Sequence, residues 1–225
     1  VTEAPNQRTG SAGPGTRGIG WANRLTIGRG LLSLVLWGVL AVIRRTGGDD
    51  TALWWSAFGI FVVTAATDSL DGYIARARGE VSVFGRIADP FVDKLLILGS
   101  CVFLLGIPGI PDLLPPWAVA VILARELLVT ALRASVEGAG GNFQAGIWGK
   151  GKMAIQCIAI GAVLLHGAGV DFVRTSLGDL GGGPESFTLT HALVLAAAAA
   201  TVLSGVEYVV RAVAVLRAVP PPPRA

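Results

Sequence analysis

Asp68 and Asp71 stand three residues apart, and Asp89 and Asp93 four apart, in Asp68-Ser-Leu-Asp71-Gly72-Tyr-Ile-Ala75-Arg76 and, eight residues further on, Gly85-Arg-Ile-Ala-Asp89-Pro-Phe-Val-Asp93-Lys94. On a helix either spacing puts both members of a pair on one face. Two helices can therefore bring four carboxylates to one place. Left alone there, the four would repel one another, raise each other's proton affinity and neutralise. A hard divalent cation removes that penalty, and an all-oxygen donor set suits Mg²⁺ or Mn²⁺ rather than zinc, which prefers Cys and His. Gly72 and Ala75 leave a shallow face beside the acids on which a flat ligand can lie. Arg76 and Arg78 can grip phosphate oxygens or pair with the aspartates. Ion pairs capping two helix ends, with Gly85 as a turn, would be the purely structural alternative, but capping needs fewer than four acids.

A second group is cationic. Arg125, Arg133, Lys150 and Lys152 form a basic rim, and Glu126 can orient one of the arginines. Arg125 and Arg133 lie eight residues apart on one helix face, about 12 Å along the axis. A small phosphorylated alcohol needs cations of this kind more than it needs sugar-reading side chains. Anchoring at a membrane surface is the alternative for any single base, with most force at Lys152 and Arg211 and least at Arg125 and Arg133, which fall within an apolar block.

The elements that must carry these groups are apolar. The 225 residues are 52% hydrophobic and only 15% charged, against about 25% charged in ordinary soluble domains, and the mean hydropathy is +0.65. Six blocks predict transmembrane helices: Ile27 to Ile43, Thr51 to about Arg76, Phe84 to Ile107, Pro116 to Val136, Trp148 to Gly167, and Thr188 to Val215. Lipid offers no water to exposed backbone groups, so spans of this kind must be helical. Only the last block holds an uncharged run long enough for a complete span. The others include Asp68, Asp71, Asp93, Arg125 or Glu126, residues expensive in lipid unless they face a bundle interior or a wet cavity.

Segments 44–50, 108–115 and 168–187 read as loops. Residues 1–19 predict a disordered tail with no apolar core like that of a cleaved signal peptide, 20–218 the membrane domain, and 219–225 a Pro-rich tail. With both termini on one side, that side collects all of the 18 basic residues except Arg44, Arg45 and Arg174, which makes it cytoplasmic. Trp54, Trp55, Trp117 and Trp148 fall at predicted helix ends, where interfacial tryptophans belong. Two cysteines, both in apolar blocks, exclude a disulfide framework. A net charge of only +3 gives no indication of nucleic-acid binding.

The pattern Asp-x2-Asp-Gly-x2-Ala-Arg-x8-Gly-x3-Asp-x3-Asp, eight fixed positions over 26 residues from Asp68 to Asp93, resembles the full signature of the CDP-alcohol phosphatidyltransferases. That resemblance implies an all-α, six-helix integral membrane fold, usually a homodimer, in the cytoplasmic membrane with a polar cavity open to the cytoplasm. It implies two Mg²⁺ or Mn²⁺ ions held by Asp68, Asp71, Asp89 and Asp93, with Asp93 also the catalytic base. Gly72, Ala75, Arg76, Gly85 and Arg29 would seat the CDP-lipid.

Three further segments are similar to the branch of the family that makes phosphatidylglycerophosphate from CDP-diacylglycerol and glycerol 3-phosphate, releasing CMP. They are 23–29, with Ala22 where that branch usually has proline; 124–133; and 148–156, where Gly151 and Met153 depart from it. The same resemblance gives Arg125, Arg133, Lys150 and Lys152 to the acceptor phosphate. Cardiolipin synthases and phosphatidylinositol-phosphate synthases share the central signature and are the alternatives. A cation transporter is more remote, since no internal repeat is visible.

Overall fold

The computed structural model describes residues 21–78, 91–92, 94–138, 147–170 and 189–218, with the side chains of 21–23, 68–78, 147–150, 216 and 218 excepted. Among these residues the chain is all helix, without a strand. The elements are α1 (Trp21–Arg45), α2 (Thr51–Arg78), α3 (Leu95–Leu104), one-turn α4 (Ile110–Leu113), α5 (Pro116–Gly138), α6 (Ile147–Gly167) and α7 (Leu189–Ala218). Each expected apolar block contains one long helix or its described part. The expected tails, and most of the loop 168–187, lie outside the described residues.

Segment 108–115 is not the plain loop its prolines and glycine suggest. It folds into α4, and Ile110, Leu113 and Leu114 are buried in the core. Apolar residues at these positions outweigh the turn signals, because burying them stabilises more than a solvated loop would.

Local chemistry sets the helix boundaries. The Asp50 carboxylate accepts hydrogen bonds from the backbone N–H of Ala52 at 2.9 Å and Leu53 at 3.4 Å, capping the start of α2. Upstream, α1 stops at Gly47 and Gly48, with φ of 81° and 93°, and the Gly48 N–H returns to the Ile43 carbonyl, a left-handed ending that favours glycine. In the third apolar block, helical residues Phe91, Val92 and Lys94 precede a π-helical turn, Leu95–Gly99, which continues as an α-helical turn, Ser100–Leu104. The Trp37 ring occupies the space where a Gly99 side chain would be and stacks on Phe103, with centroids 5.7 Å apart.

In the bundle α1 packs on α2, α2 on α6, α6 on α7 and α7 on α5, while α3 leans on α1 and α4 closes against α6 and α7. The inward stripes change character along their length. On α1 the stripe runs Thr26, Arg29, Ser33 and then Leu36, Leu40, Ile43, all buried. On α2 it runs Trp54, Ala57, Phe61 and then Thr64, and the same 3–4 register continues to Asp68 and Asp71. On α6, Lys152 and Gln156 give way to Ala159, Ile160, Val163 and Leu164, and on α7 Val194, Ala197 and Ala198 give way to Thr201, Ser204 and Tyr208. One half of the interior is therefore aliphatic and the other half polar.

The outer faces are the reverse: Leu31, Leu127, Leu203 and Val210 are each about 60% exposed or more. Facing water, each would forgo about 1.5–3 kcal/mol of burial. Two helices, Arg24–Arg45 and Leu189–Val215, are long and apolar enough to cross a membrane, and Thr51–Thr67, Leu95–Leu104 and Gly151–Gly167 are shorter apolar segments.

Trp54 departs from the interfacial role expected of it. It is 2% exposed, its indole N–H donates to the Gly48 carbonyl at 2.8 Å, and its ring fills the space beside Gly167. Trp55 and Trp117 are 48% and 54% exposed, as interfacial residues should be. The Trp148 side chain lies outside the described set.

The packing makes a stability test specific. Gly99→Ala must displace the Trp37 ring and should destabilise by about 1–3 kcal/mol. By contrast, Gly59→Ala meets nothing within 4 Å and should be neutral or stabilising by about 1 kcal/mol. Thermal unfolding of the detergent-purified variants checks both.

Candidate active site

The polar half of the interior is built mainly by α5, α6 and α7. Lys152 is 7% exposed, although lysine is rarely buried unpaired. Its Nζ pairs with Glu126 Oε1, and the same oxygen accepts a hydrogen bond from Arg125 Nη1 at 3.0 Å. The two basic side chains are 7% and 10% exposed and the carboxylate 14%. One acid thus holds two cations on neighbouring helices. Arg125 Nε is buried and has no hydrogen-bond partner among the described residues.

Around this triad lie further polar contacts. Lys94, just before α3, donates to the Thr130 hydroxyl, which in turn donates to the Glu126 carbonyl at 2.7 Å. Arg133 Nε donates to the Tyr208 hydroxyl at 3.3 Å, tying α5 to α7. Gln156 Nε2 donates to Thr201 Oγ1 at 2.9 Å, tying α6 to α7. Both Arg125 and Lys94 act electrostatically on Lys152, and Arg133 acts on Arg125. Among the described side chains, four cations share this region with one carboxylate, a surplus of positive charge that suits an anionic phosphate.

The aspartates are approached through backbone register. Trp54 packs on Gly167, and Phe58 lies 3.7 Å from the Cβ position of Gly161, so α2 and α6 run antiparallel with positions that sum to about 220. Both helices continue unbroken. Extended along both helices, that register pairs position 68 of α2 with position 152 of α6 and position 71 with position 149. Gly72, Ala75 and Arg76 follow on the last turns of α2, with their side chains outside the described set, and Lys150 lies likewise on the first turn of α6. Gly85, Asp89 and Asp93 lie outside the described residues. Arg29 is described: it is 4% exposed, on the polar stretch of the inward stripe of α1.

Among the described residues no three acid, His or Cys side chains group to hold a metal ion. For a divalent cation the fit rests on chemistry and register. The candidate donors are all carboxylates, and positions 68 and 71 follow Thr64 on α2 at helical spacing.

Sequence reasoning found Arg125, Glu126, Arg133 and Lys152 and missed their partners. Thr130, Gln156, Thr201, Gly205 and Tyr208 give weak signals singly. The pattern Thr201, Ser204, Gly205, Tyr208, small or polar at helical spacing inside an aliphatic helix, was the sign available.

The family model described as CDP-alcohol phosphatidyltransferase matches residues 20–210. A Bacillus subtilis protein named CDP-diacylglycerol–glycerol-3-phosphate 3-phosphatidyltransferase is 39% identical over 121 residues, covering 54% of this chain and 61% of that protein. A Mycobacterium tuberculosis protein named "Probable phosphatidylglycerophosphate synthase" is 37% identical over 216 residues, covering 94% of this chain and 90% of its own length. A Cereibacter sphaeroides protein with the same name as the Bacillus one is 34% identical over 121 residues, 53% of each chain. The match thus spans little more than half of two of these relatives and nearly all of the third.

The Glu126 triad makes a definite prediction. Breaking a buried pair from one side typically costs about 3–5 kcal/mol. Glu126→Gln alone should therefore destabilise strongly, by leaving two buried cations on a neutral amide, whereas Glu126→Gln with Lys152→Met should recover part of the loss. Thermal unfolding of both variants and of Lys152→Met completes the cycle.

Proposed function

The chain belongs to the CDP-alcohol phosphatidyltransferase family, and on that premise we propose that it transfers a phosphatidyl group from CDP-diacylglycerol to sn-glycerol 3-phosphate, giving phosphatidylglycerophosphate and CMP in phospholipid synthesis. The observation that carries the acceptor is the pairing of Arg125 and Lys152 with Glu126 in the polar half of the interior, with half-buried Arg133 and Lys94 acting on the same group. A phosphorylated small alcohol brings an anion that can use this positive charge, whereas an uncharged alcohol brings none.

In this reading the aliphatic outer faces lie in the cytoplasmic membrane. Six spans, made by α1, α2, the helix containing α3, α5, α6 and α7, form the domain over residues 20–218. Both termini and the polar half of the interior face the cytoplasm, and the protein works as a homodimer. The exposed leucines and valines and the mid-length change in the inward stripes support this arrangement.

Asp68, Asp71, Asp89 and Asp93 would hold divalent ions, Mg²⁺ or Mn²⁺. Bound ions supply neutralisation of the pyrophosphate charge and of the leaving phosphate. Gly72, Ala75, Arg76, Gly85 and Arg29 seat the cytidine diphosphate end of the lipid. Arg125, Arg133, Lys150 and Lys152 hold the acceptor phosphate, which orients its free hydroxyl. Asp93 takes the hydroxyl proton as that oxygen forms its bond to the lipid-side phosphorus. The phosphorus–oxygen bond to CMP breaks, and CMP leaves with its electron pair. The buried walls of α1, α5, α6 and α7 keep competing water from the activated phosphate.

Purified protein given CDP-diacylglycerol, glycerol 3-phosphate and Mg²⁺ should release CMP and lose that activity with a chelator. Asp93→Asn should lower kcat by about 10²–10⁴ with both KM values little changed. Turnover with phosphatidylglycerol or inositol phosphate, and none with glycerol 3-phosphate, would keep the family chemistry and reject this acceptor.

A further inference from the structure

The last helix has so far served only as a wall, yet its inward face meets the cationic groups and their neighbours at three successive points. Thr201 accepts from Gln156, one turn along α6 from Lys152. A side chain at Gly205 would come within 3.1 Å of the Arg125 stem. Tyr208 accepts from Arg133. Positions 201, 205 and 208 recur at helical spacing and form one stripe. Thr201 and Tyr208 are both buried, at 0% and 8% exposure, within a helix whose other faces carry exposed Leu203, Val206 and Val210.

The geometry of the two arginines makes this stripe more than a packing seam. They are rooted about 12 Å apart on α5, yet both reach residues of one turn of α7, Arg125 by its Cγ at Gly205 and Arg133 by its Nε at the Tyr208 hydroxyl. Gly205 lets the Arg125 stem lie against the α7 backbone, and the Tyr208 hydroxyl occupies the Nε–H of Arg133. A guanidinium held at Nε has lost one donor and much of its rotational freedom, and it presents its two terminal nitrogens in a fixed plane, the geometry that a phosphate reads bidentately.

We propose that α7 is the positioning wall of the acceptor pocket: Tyr208 sets the plane of Arg133 and Gly205 sets the path of Arg125, so that both address one phosphomonoester. This rests on the acceptor reading above for its biological ligand, but the anion site it describes is tested by inorganic phosphate alone. Tyr208 touches no reacting atom. Its effect passes through Arg133.

The experiment follows phosphate-dependent thermal stabilisation of the full detergent-solubilised chain in metal-free buffer, alongside CMP release. Phosphate should stabilise the wild type. Tyr208→Phe should need about tenfold more phosphate for the same shift, the scale of one hydrogen bond to a charged group, and should raise the acceptor KM to match while the CDP-lipid KM stays within twofold. On an Arg133→Ala background, Tyr208→Phe should add nothing, which a merely structural tyrosine would not reproduce. Gly205→Ala, which must move the Arg125 stem by a few tenths of an ångström, is the second variant and should weaken phosphate binding while leaving the unliganded melting temperature near that of the wild type.

The proposal is overturned if phosphate fails to stabilise the wild type, if it stabilises Tyr208→Phe and wild type equally, or if the Tyr208 and Arg133 effects multiply. Phosphate stabilisation that follows this pattern in a protein releasing no CMP with glycerol 3-phosphate upholds the wall and rejects the acceptor reading.

Discussion

One carboxylate inside the bundle governs much of what surrounds it. Glu126 Oε1 meets both Lys152 and Arg125, and neither cation would tolerate burial at 7% and 10% exposure without it, because an isolated ion removed from water costs several kcal/mol or more. The consequences spread along the helices. Since Lys152 and Glu126 must meet, α5 and α6 are held in one rotational setting, and α7 is packed against both. The contacts Lys94 with Thr130 and Arg133 with Tyr208 lie around that pair, and the buried contact of Gln156 with Thr201 satisfies polar groups that the low-dielectric interior would otherwise penalise.

This polar cluster is affordable because the other half of the bundle is conventional. Leu36, Leu40, Trp54, Phe61, Val163 and Leu164 form a dry aliphatic and aromatic core, with Trp54 over Gly167 and Trp37 over Gly99 giving close helix approaches. The rigid half positions the polar half. A π-helical turn at Leu95–Gly99 sits at the junction, immediately after the signature segment. Such turns shift the facing of everything before them and recur near functional sites. The Trp37 ring packs against its Gly99.

Much of this was legible in the sequence, for reasons that can be stated. Block lengths and hydropathy marked out the helices, since the need to satisfy backbone groups in an apolar medium leaves few alternatives. The spacing of Asp68 and Asp71 puts both on one face of a helix, and α2 runs through both positions. Arg125 and Arg133 were recognisable because charge within an apolar block is costly. Trp54 was misread because a tryptophan near a helix end has the same sequence signature at an interface and in a core, and Gly167, 113 residues away, decides between them. Segment 108–115 was misread because turn residues and core residues alternate within it. Tyr208 and Gly205 were missed because their meaning depends wholly on α5, a neighbour that sequence order does not reveal.

The split between donor and acceptor recognition follows from the same arrangement. In the proposed reading the signature residues of α2 and of the segment before α3 would serve the pyrophosphate and its counter-ions. The cations on α5 and α6, and their contacts on α7, are separate side chains on separate helices. Changing the acceptor therefore requires no change in the signature, only in charge and shape across three helices. This explains why a motif of eight positions identifies the chemistry and leaves the alcohol open. It also locates the discriminating information in the interior contacts of α5, α6 and α7, where an extra hydroxyl or a lost cation would leave a buried partner unsatisfied.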